Sequence, residues 1–324
     1  MSKLLVTGAS GFIGNALCKK LLSENNEIVA PCRSSEKLPK HELLDFKPIS
    51  GLENVADWST MLADVEVVVH LASRVHVMKD SSDDALSDYR KINVVATVDL
   101  AKQAAKAGVK RFVYISSIKV NGEQSLPGKP FNADDQPAPT DPYAISKYEA
   151  EEELKRIAAS TGLELVIIRP PLVYGPGVKA NFLIMMEKIE RGSILPFGAI
   201  KNLRSLVALD NLVDFIVVCI KHKNAANETF LISDDEDLST SDLLKRLASA
   251  MNVNARVWSV PEWIIKFGAG MLGQSAVASR LCGFLQADIT KNRELLGWTP
   301  PYVDDSFKSA ADDFVSNKKI NTNT

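Results

Sequence analysis

The stretch that decides the fold is Thr7-Gly8-Ala9-Ser10-Gly11-Phe12-Ile13-Gly14, a glycine-rich turn directly after the apolar run Leu4-Leu5-Val6 and before an apolar, helically periodic segment. Gly8 allows a tight turn, Gly11 lets the backbone approach a pyrophosphate, and Gly14 permits close packing of helix on strand. A strand, such a turn and a helix N-terminus together form a site for a dinucleotide. The predicted cofactor contacts here are Gly8, Ser10, Gly11, Phe12, Ile13 and Gly14.

Strands and helices alternate along the rest of the first half. Short apolar runs at 27–30, 66–71, 111–116 and 163–168 are typical of strands buried on both faces of a parallel sheet. Helical periodicity follows at 89–107 and 143–160. This alternation predicts an α/β fold with a doubly wound Rossmann sheet, whose ligands bind at the C-terminal ends of the strands.

The pattern changes after Pro170-Pro171, where proline, glycine and short mixed elements replace the alternation. Ser239 supplies an N-cap for a further helix that runs to about Ala250. We therefore expect a smaller C-terminal α/β substrate lobe. The predicted division is a Rossmann domain at 1–175 to which 206–235 returns, a substrate-binding lobe at 176–205 and 236–316, and a frayed tail at 317–324.

Composition excludes several classes of protein. The 324 residues are 46% hydrophobic and 24% charged with a net charge of -2, which indicates a globular chain without a nucleic-acid footprint. No apolar run is long enough for an integral membrane span. The nearest approach, at 263–272, is interrupted by Lys266, Gly268 and Gly270. We expect it to form a helix packed in the second lobe, with peripheral membrane contact as the alternative.

Cysteine usage and the N-terminus indicate the compartment. The four cysteines form no CxxC pair, which favours buried reduced thiols over disulfides or a metal site. The chain enters its first strand within a few residues and leaves no room for a signal peptide. We therefore expect a cytoplasmic protein without a bound metal.

The end of the second strand bears on the choice of cofactor. Val29-Ala30-Pro31-Cys32-Arg33-Ser34 contains no acid to bind the adenosine ribose. Arg33 and Ser34 can instead hold a 2′-phosphate through a guanidinium fork and a hydroxyl, which favours NADP(H). NAD(H) stays open, because an exposed arginine that stacks on adenine fits either cofactor.

Tyr143 and Lys147 are four residues apart and therefore share one face of the predicted helix. A phenol with a pKa of about 10 is a poor base, but a nearby ammonium and a cationic nicotinamide favour the phenolate. Ser116-Ser117 ends the preceding strand, where a hydroxyl can hold the reacting oxygen. A surface Tyr–Lys pair and a turn-forming serine are the alternatives, yet the combination predicts Ser117, Tyr143 and Lys147 as catalytic residues.

These motifs together resemble the extended short-chain dehydrogenase/reductases. They are TGxxGxxG, HLAS at 70–73, ISS at 115–117 and YxxxK, followed by RPPLVYGPG at 169–177, RSLV at 204–207 and LGWTP at 296–300. The resemblance is closest to the UDP-sugar 4-epimerases and UDP-4-keto-sugar reductases. It implies a UDP-sugar substrate and a homodimer formed through the helices at 89–107 and 143–160.

The resemblance also implies ligand contacts. In addition to the glycine turn, Arg33 and Ser34, it implies that the cofactor contacts Leu71, Ala72, Ser73, Asn93, Tyr143, Lys147 and Pro170. It implies that the substrate contacts Ser117, Lys119, Asn181, Leu195, Phe197 and Arg204. Of these, Asn181 and Arg204 would bind the diphosphate, and residues 195–197 would line the uracil. Lys119 either reaches substrate or points to solvent, and a salt bridge to Asp210 is the alternative for Arg204.

Two reactions at C4 of the sugar remain open. The related 4,6-dehydratases carry an acid pair after the catalytic serine or threonine, whereas Ile118 and Lys119 follow here, so we do not expect a dehydratase. Because the sequence favours NADPH, it favours a 4-ketoreductase of surface polysaccharide synthesis. A UDP-glucose or UDP-N-acetylglucosamine 4-epimerase with bound NAD is the alternative. Two other functions rank below these: an epimerase of polyprenyl-diphosphate sugars, and a dinucleotide sensor without catalytic activity.

Overall fold

A computed structural model of the protein describes residues 2–75, 84–302 and 306–322. The strands are Lys3–Thr7 (β1), Glu27–Cys32 (β2), Leu44–Pro48 (β3), Val67–His70 (β4), Arg111–Ile115 (β5), Glu164–Arg169 (β6), Leu172–Tyr174 (β7), Ile194–Leu195 (β8), Arg204–Ala208 (β9), Glu228–Leu231 (β10), Asp237–Leu238 (β11) and Arg256–Val257 (β12). The helices are Phe12–Ser23 (α1), Ser59–Leu62 (α2), Ala85–Arg90 (α3), Thr97–Lys106 (α4), Pro142–Thr161 (α5), Ala180–Glu190 (α6), Leu209–Lys221 (α7), Thr240–Ala250 (α8), Glu262–Met271 (α9), Ser275–Cys282 (α10), Thr290–Leu296 (α11) and Ser306–Thr322 (α12).

Seven parallel strands form the main sheet in the order β10-β6-β5-β4-β1-β2-β3. The chain leaves β1 toward β2 and β3 on one side and returns through β4, β5 and β6 on the other. A crevice therefore opens at the C-terminal ends of β1 and β4, where Thr7 lies opposite His70. The predicted doubly wound α/β fold is confirmed.

Both faces of this sheet are covered. The side chains of α1 and α7 pack on one face in a core that includes Leu17 and Phe215. On the other face, α4 and α5 bury Leu100 and Leu154 against Phe112. Burial on two faces explains why the strands are nearly continuous apolar runs in the sequence.

A second core lies apart from the main sheet, in the region that we call the second lobe. Strands β11, β9 and β7 form a three-stranded sheet, and α6, α8 and α12 pack together through residues such as Phe182, Leu247 and Phe307. As expected, Ser239 caps α8, because its side chain accepts a hydrogen bond from the backbone N–H of Asp242. Helix α12 continues to Thr322, beyond the point at which the sequence predicts a frayed tail.

Two helices differ from their predicted form. The helix expected at 89–107 begins at Ala85 and contains a π-helical turn, Lys91–Ala96, between α3 and α4. The helix expected to pack inside the second lobe is α9, and it has no buried residue, so that expectation is wrong. Within the ranges 2–75, 84–302 and 306–322, no helix is long and apolar enough to cross a membrane. All four cysteines are free and buried, as predicted.

Candidate active site

The glycine turn between β1 and α1 has the geometry that the sequence predicts. Gly8 has a φ of 70°, and a Cβ there would lie 2.8 Å from the backbone nitrogen of Ala72. A Cβ on Gly14 would lie 2.1 Å from the carbonyl oxygen of Gly8. Gly11 is the N-cap of α1 and offers no side-chain acceptor, so the first amides of the helix are available to an anion. This cradle fits the pyrophosphate of a dinucleotide.

His70 fastens the two strand ends that border the crevice. Its Nδ1 lies 2.8 Å from Oγ1 of Thr7, and its Nε2 lies 2.9 Å from Oγ1 of Thr97. Complete burial, assisted by the nearby Lys147, lowers the pKa of this imidazole to about 3. His70 is therefore neutral and structural, a role that the sequence analysis did not assign.

The loop after β4 carries three residues predicted to bind cofactor. The backbone N–H groups of Leu71 and Ala72 donate to the carbonyl oxygen and to Oγ1 of Thr7, at 3.3 Å and 3.2 Å. Ser73 follows them and is half-buried. The loop thus lies against the glycine turn.

Asn93 and Pro170, also predicted to bind cofactor, hold backbone near the strand ends. Asn93 exchanges hydrogen bonds with the backbone of Arg74 and donates to Oγ of Ser146 at 3.0 Å. Pro170 accepts a hydrogen bond from the N–H of Ile118 at 3.0 Å. A cofactor contact from either residue stays a prediction.

The structure brings Ser117 and Tyr143 together at the end of β5. A hydrogen bond with the Ser117 side chain lowers the pKa of the Tyr143 phenol, but burial raises it more, and so do the Asp141 carboxylate and Tyr89. The rings of Tyr89 and Tyr143 meet edge to face, 6.1 Å apart. The net shift of the pKa is upward, so the protein's own groups keep the phenol protonated at neutral pH.

Lys147 follows Tyr143 by one turn of α5 and is 2% exposed. Its Nζ donates to the carbonyl oxygen of Ile115 at 2.7 Å and lies 4.4 Å from the ring centre of Tyr114. Burial lowers the pKa of this amine to about 7, while Glu151 opposes that shift. The ammonium is thus bonded to the end of β5, beside the place where Ser117 meets the phenol.

A buried charged network supports the same strand end. Arg169 donates to both carboxylate oxygens of Glu151, at 3.0 Å and 2.5 Å, and Ser116 donates to that carboxylate at 2.5 Å. Arg169 also donates to Oδ1 of Asn121 at 3.0 Å. Arg169 closes the apolar run of β6, and a charge in that position was the only sign of the network in the sequence.

Arg33 and Ser34 follow the end of β2 and are exposed. Oγ of Ser34 accepts a hydrogen bond from the N–H of Glu36 at 3.2 Å. The side chain of Asn15 in α1 donates to the carbonyl oxygen of Lys37, which keeps this loop beside the glycine turn. Both predicted residues therefore border the dinucleotide cradle.

Lys119 is half-buried and forms ion pairs near Tyr143, and its contact with substrate stays a prediction. Its Nζ bonds to the carboxylate of Asp141 and lies 3.1 Å from Oε1 of Glu123. Asp141 is the N-cap of α5, where it accepts a hydrogen bond from Ala144 at 2.8 Å. Lys119 therefore holds the start of the helix that carries Tyr143.

Arg204 is the first residue of β9. It does not form the salt bridge with Asp210 that the sequence analysis gave as the alternative. Its guanidinium donates to the carbonyl oxygens of Arg280 and Gly283, at 2.7 Å and 3.1 Å. Burial lowers the pKa of this guanidinium, and Glu123 opposes the shift. The cation is thus half-buried at the end of α10.

The other predicted substrate residues lie in the second lobe. Asn181 is exposed in the first turn of α6. Leu195 is 5% exposed and belongs to the lobe core, and half-buried Phe197 packs against that core. The side chain of Leu195 is therefore enclosed by the protein.

Known proteins are similar to this chain over most of its length. A model of the NAD dependent epimerase/dehydratase family matches residues 4–233. The chain is 45% identical to the UDP-glucose 4-epimerase of Vibrio cholerae over 96% of this chain and 95% of that protein. It is 27% identical to the N-acetyl-alpha-D-glucosaminyl-diphospho-ditrans,octacis-undecaprenol 4-epimerase of Escherichia coli O157:H7, over 93% and 91%.

A solved structure gives the same fold. The UDP-glucuronic acid 4-epimerase from Bacillus cereus, in complex with NAD, superposes with a TM-score of 0.80 at 23% identity, over 97% of this chain and 99% of that one. The fold, the glycine turn and the family match agree over most of the chain, which confirms the resemblance inferred from the motifs. The chain is an enzyme of the extended short-chain dehydrogenase/reductase type and belongs to the NAD dependent epimerase/dehydratase family.

Proposed function

We propose that the protein is a UDP-sugar 4-epimerase that works with bound NAD. The observation that carries this proposal is the 45% identity with a UDP-glucose 4-epimerase over nearly the full length of both chains. The sequence alone favours a 4-ketoreductase with NADP(H), and the comparisons support neither preference. The relative and the NAD-bound structural neighbour support the epimerase and NAD instead.

The glycine cradle and the amides of α1 would hold the pyrophosphate of the dinucleotide, with Arg33 and Ser34 beside its adenosine half. The loop over 71–73, Asn93 and Pro170 would border the rest of it. Bound there, NAD supplies a hydride acceptor and then a hydride donor. We propose the same residues for this role as the sequence predicts.

Tyr143 is the group that moves the proton. It would take the proton of the sugar C4 hydroxyl and later return it, while Ser117 holds the same oxygen. The hydrogen bond between these two side chains supports this assignment, because it brings both to one point. Lys147 would bind the nicotinamide ribose from its position at the end of β5.

Arg204 and Asn181 would hold the substrate diphosphate, and the segment 195–197 would lie along the uracil. A guanidinium can bind a diphosphate through two charge-assisted hydrogen bonds. The predicted domain boundaries, a cytoplasmic location and a homodimer through the helices at 89–107 and 143–160 stay predictions.

The reaction can be tested with purified protein and no added cofactor. We expect UDP-glucose or UDP-N-acetylglucosamine to equilibrate with its C4 epimer, followed by NMR of the sugar. Denaturation should release NAD. A requirement for one NADPH per turnover, with a UDP-4-keto sugar as substrate, would instead establish the reductase.

The role of Tyr143 has its own test. We expect Tyr143→Phe to retain the dinucleotide and to lose turnover by about two to four orders of magnitude, as for the loss of a proton-transfer group. Tyr148→Phe is the matched control, because Tyr148 is half-buried on the same helix. Near-normal turnover of Tyr143→Phe would remove this residue from the mechanism.

A further inference from the structure

Helix α9 and the following helix α10 form a hairpin that presents an unusual apolar surface. Trp263, Phe267 and Met271 are 69%, 67% and 76% exposed. They are spaced by four residues and therefore form one stripe along α9. Leu272 is 75% exposed and Val277 is 49% exposed, which extends the stripe onto α10. We call this surface the hairpin stripe.

The hairpin stripe differs from scattered surface hydrophobics. The chain has four tryptophans, of which Trp58 and Trp298 are buried, whereas Trp258 and Trp263 are 58% and 69% exposed. Both exposed indoles thus lie on or directly before the hairpin. Large exposed aromatic residues in one patch mark an interaction surface.

The charge around the stripe distinguishes a membrane from other partners. Between residues 252 and 287 the basic side chains are Arg256, Lys266 and Arg280, and the only acid is Glu262. Glu262 is neutralised by Lys266 at 2.6 Å, so the two arginines leave this segment positive in a chain whose net charge is -2. A positive segment with an apolar aromatic stripe is complementary to anionic lipid headgroups and to the acyl boundary beneath them.

The hairpin also adjoins the candidate substrate site. The guanidinium of Arg204 bonds to carbonyl oxygens of Arg280 and Gly283 at the end of α10. The side chain of Gln124, in the segment that follows Ser117, donates to the carbonyl oxygen and to Oγ of Ser279. A partner on the stripe would therefore lie beside the second lobe.

We propose that the hairpin stripe binds the surface of a membrane that contains anionic lipids. Helix α9 has only ten residues and lies in the plane of the interface, with Trp263 and Phe267 among the acyl chains and the two arginines at the headgroups. The active site then works against the membrane surface. This proposal is independent of the reaction at C4.

Sedimentation of the full-length protein with vesicles tests the proposal. We expect binding to vesicles of phosphatidylcholine mixed with phosphatidylglycerol, weaker binding to phosphatidylcholine alone, and a loss of binding as salt rises. The double variant W263S/F267S should bind at least about tenfold less, because it removes two aromatic anchors from the apolar face. Tyr302→Ser is the control, since Tyr302 is an aromatic residue 50% exposed near α7.

The outcomes are separable from the proposed function. UDP-sugar turnover without vesicles should be the same in W263S/F267S and in the unchanged protein, which shows that the variant is folded. Equal vesicle binding by the double variant and the unchanged protein would overturn the proposal. A change of oligomeric state in W263S/F267S, measured by sedimentation without lipid, would overturn it in favour of a second copy of this chain on the stripe.

Discussion

Removal of Arg169 should destabilise the protein strongly, because it would leave a carboxylate buried without its cation. Arg169 is 2% exposed and Glu151 is fully buried. In Arg169→Met the Glu151 carboxylate loses two charge-assisted hydrogen bonds, at 3.0 Å and 2.5 Å, and retains only the one from Ser116. We expect the free energy of unfolding to fall by about 3–5 kcal/mol, the usual cost of breaking a buried ion pair from one side.

The cause of this loss can be isolated with a second variant. In R169M/E151M neither partner of the ion pair remains charged, and two apolar side chains fill a similar volume. We expect the double variant to be more stable than R169M, although Ser116 and Asn121 each lose a partner at about 1–3 kcal/mol per group. Such a result would assign the loss in R169M to the unpaired carboxylate and not to altered packing.

The same helix offers a control of equal geometry and different burial. Arg90 donates to both carboxylate oxygens of Glu149, at 2.8 Å and 2.5 Å, but its side chain is 49% exposed. Arg90→Met should cost about 1 kcal/mol or less, because water replaces the lost partner. Denaturant unfolding, followed by the fluorescence of buried Trp58 and Trp298, measures all three variants. Equal losses in R169M and R90M would refute the argument from burial.

Three further predictions concern the site. As pH falls from 6.5 toward 3, the unfolded state binds a proton that the buried His70 ring of the folded protein does not bind, so stability should fall in that window. In His70→Asn the unfolding midpoint should depend less on pH over the same window. An unchanged slope of midpoint against pH would contradict this role of His70. Gly14→Ala should weaken NAD binding by about tenfold or more, because its Cβ would lie 2.1 Å from the carbonyl oxygen of Gly8. Gly268→Ala is the control, because a Cβ there meets no atom within 4 Å, and this variant should bind NAD normally in calorimetry. Lys119→Met removes the cation that faces the Asp141 carboxylate, and this carboxylate raises the pKa of Tyr143. The limb of the pH profile of kcat/KM that reports the phenol should therefore move to higher pH. A move to lower pH would exclude the effect of Asp141 on the phenol.

Local sequence order predicted the parts of the site that depend on neighbouring residues. The glycine turn needs only a strand before it and a helix after it, and the four-residue spacing of Tyr143 and Lys147 places them on one helix face. The capping of α8 by Ser239 is local in the same way. Each of these features is decided within one or two turns of chain, which is why a single sequence was enough.

The features that escaped prediction depend on residues distant in the chain. His70 meets Thr7 and Thr97 only because β4 lies beside β1 in the sheet. The carbonyl oxygens that receive Arg204 lie 76 and 79 residues further along the chain. The exposure of α9 is equally non-local, because its apolar pattern is the same whether or not a neighbouring helix covers it. The spacing of residues along the chain does not reveal such contacts. The sequence therefore predicted the chemistry of these side chains but not the residues that they contact.

The electrostatics of Tyr143 and Lys147 show the same division between local and distant causes. Helical spacing predicts that an ammonium at Lys147 makes the phenol of Tyr143 more acidic, yet burial acts on both groups in the opposite sense. It raises the pKa of the phenol and lowers the pKa of the amine to about 7, so both side chains are driven toward their neutral forms. Asp141 adds to the effect on Tyr143, and Lys119 partly neutralises Asp141. A positive charge bound beside the phenol would reverse the balance, because Coulomb attraction grows where water is excluded. In the reaction proposed above, Tyr143 would therefore be protonated until a cation binds in the crevice, and it would act as a base only with that cation in place.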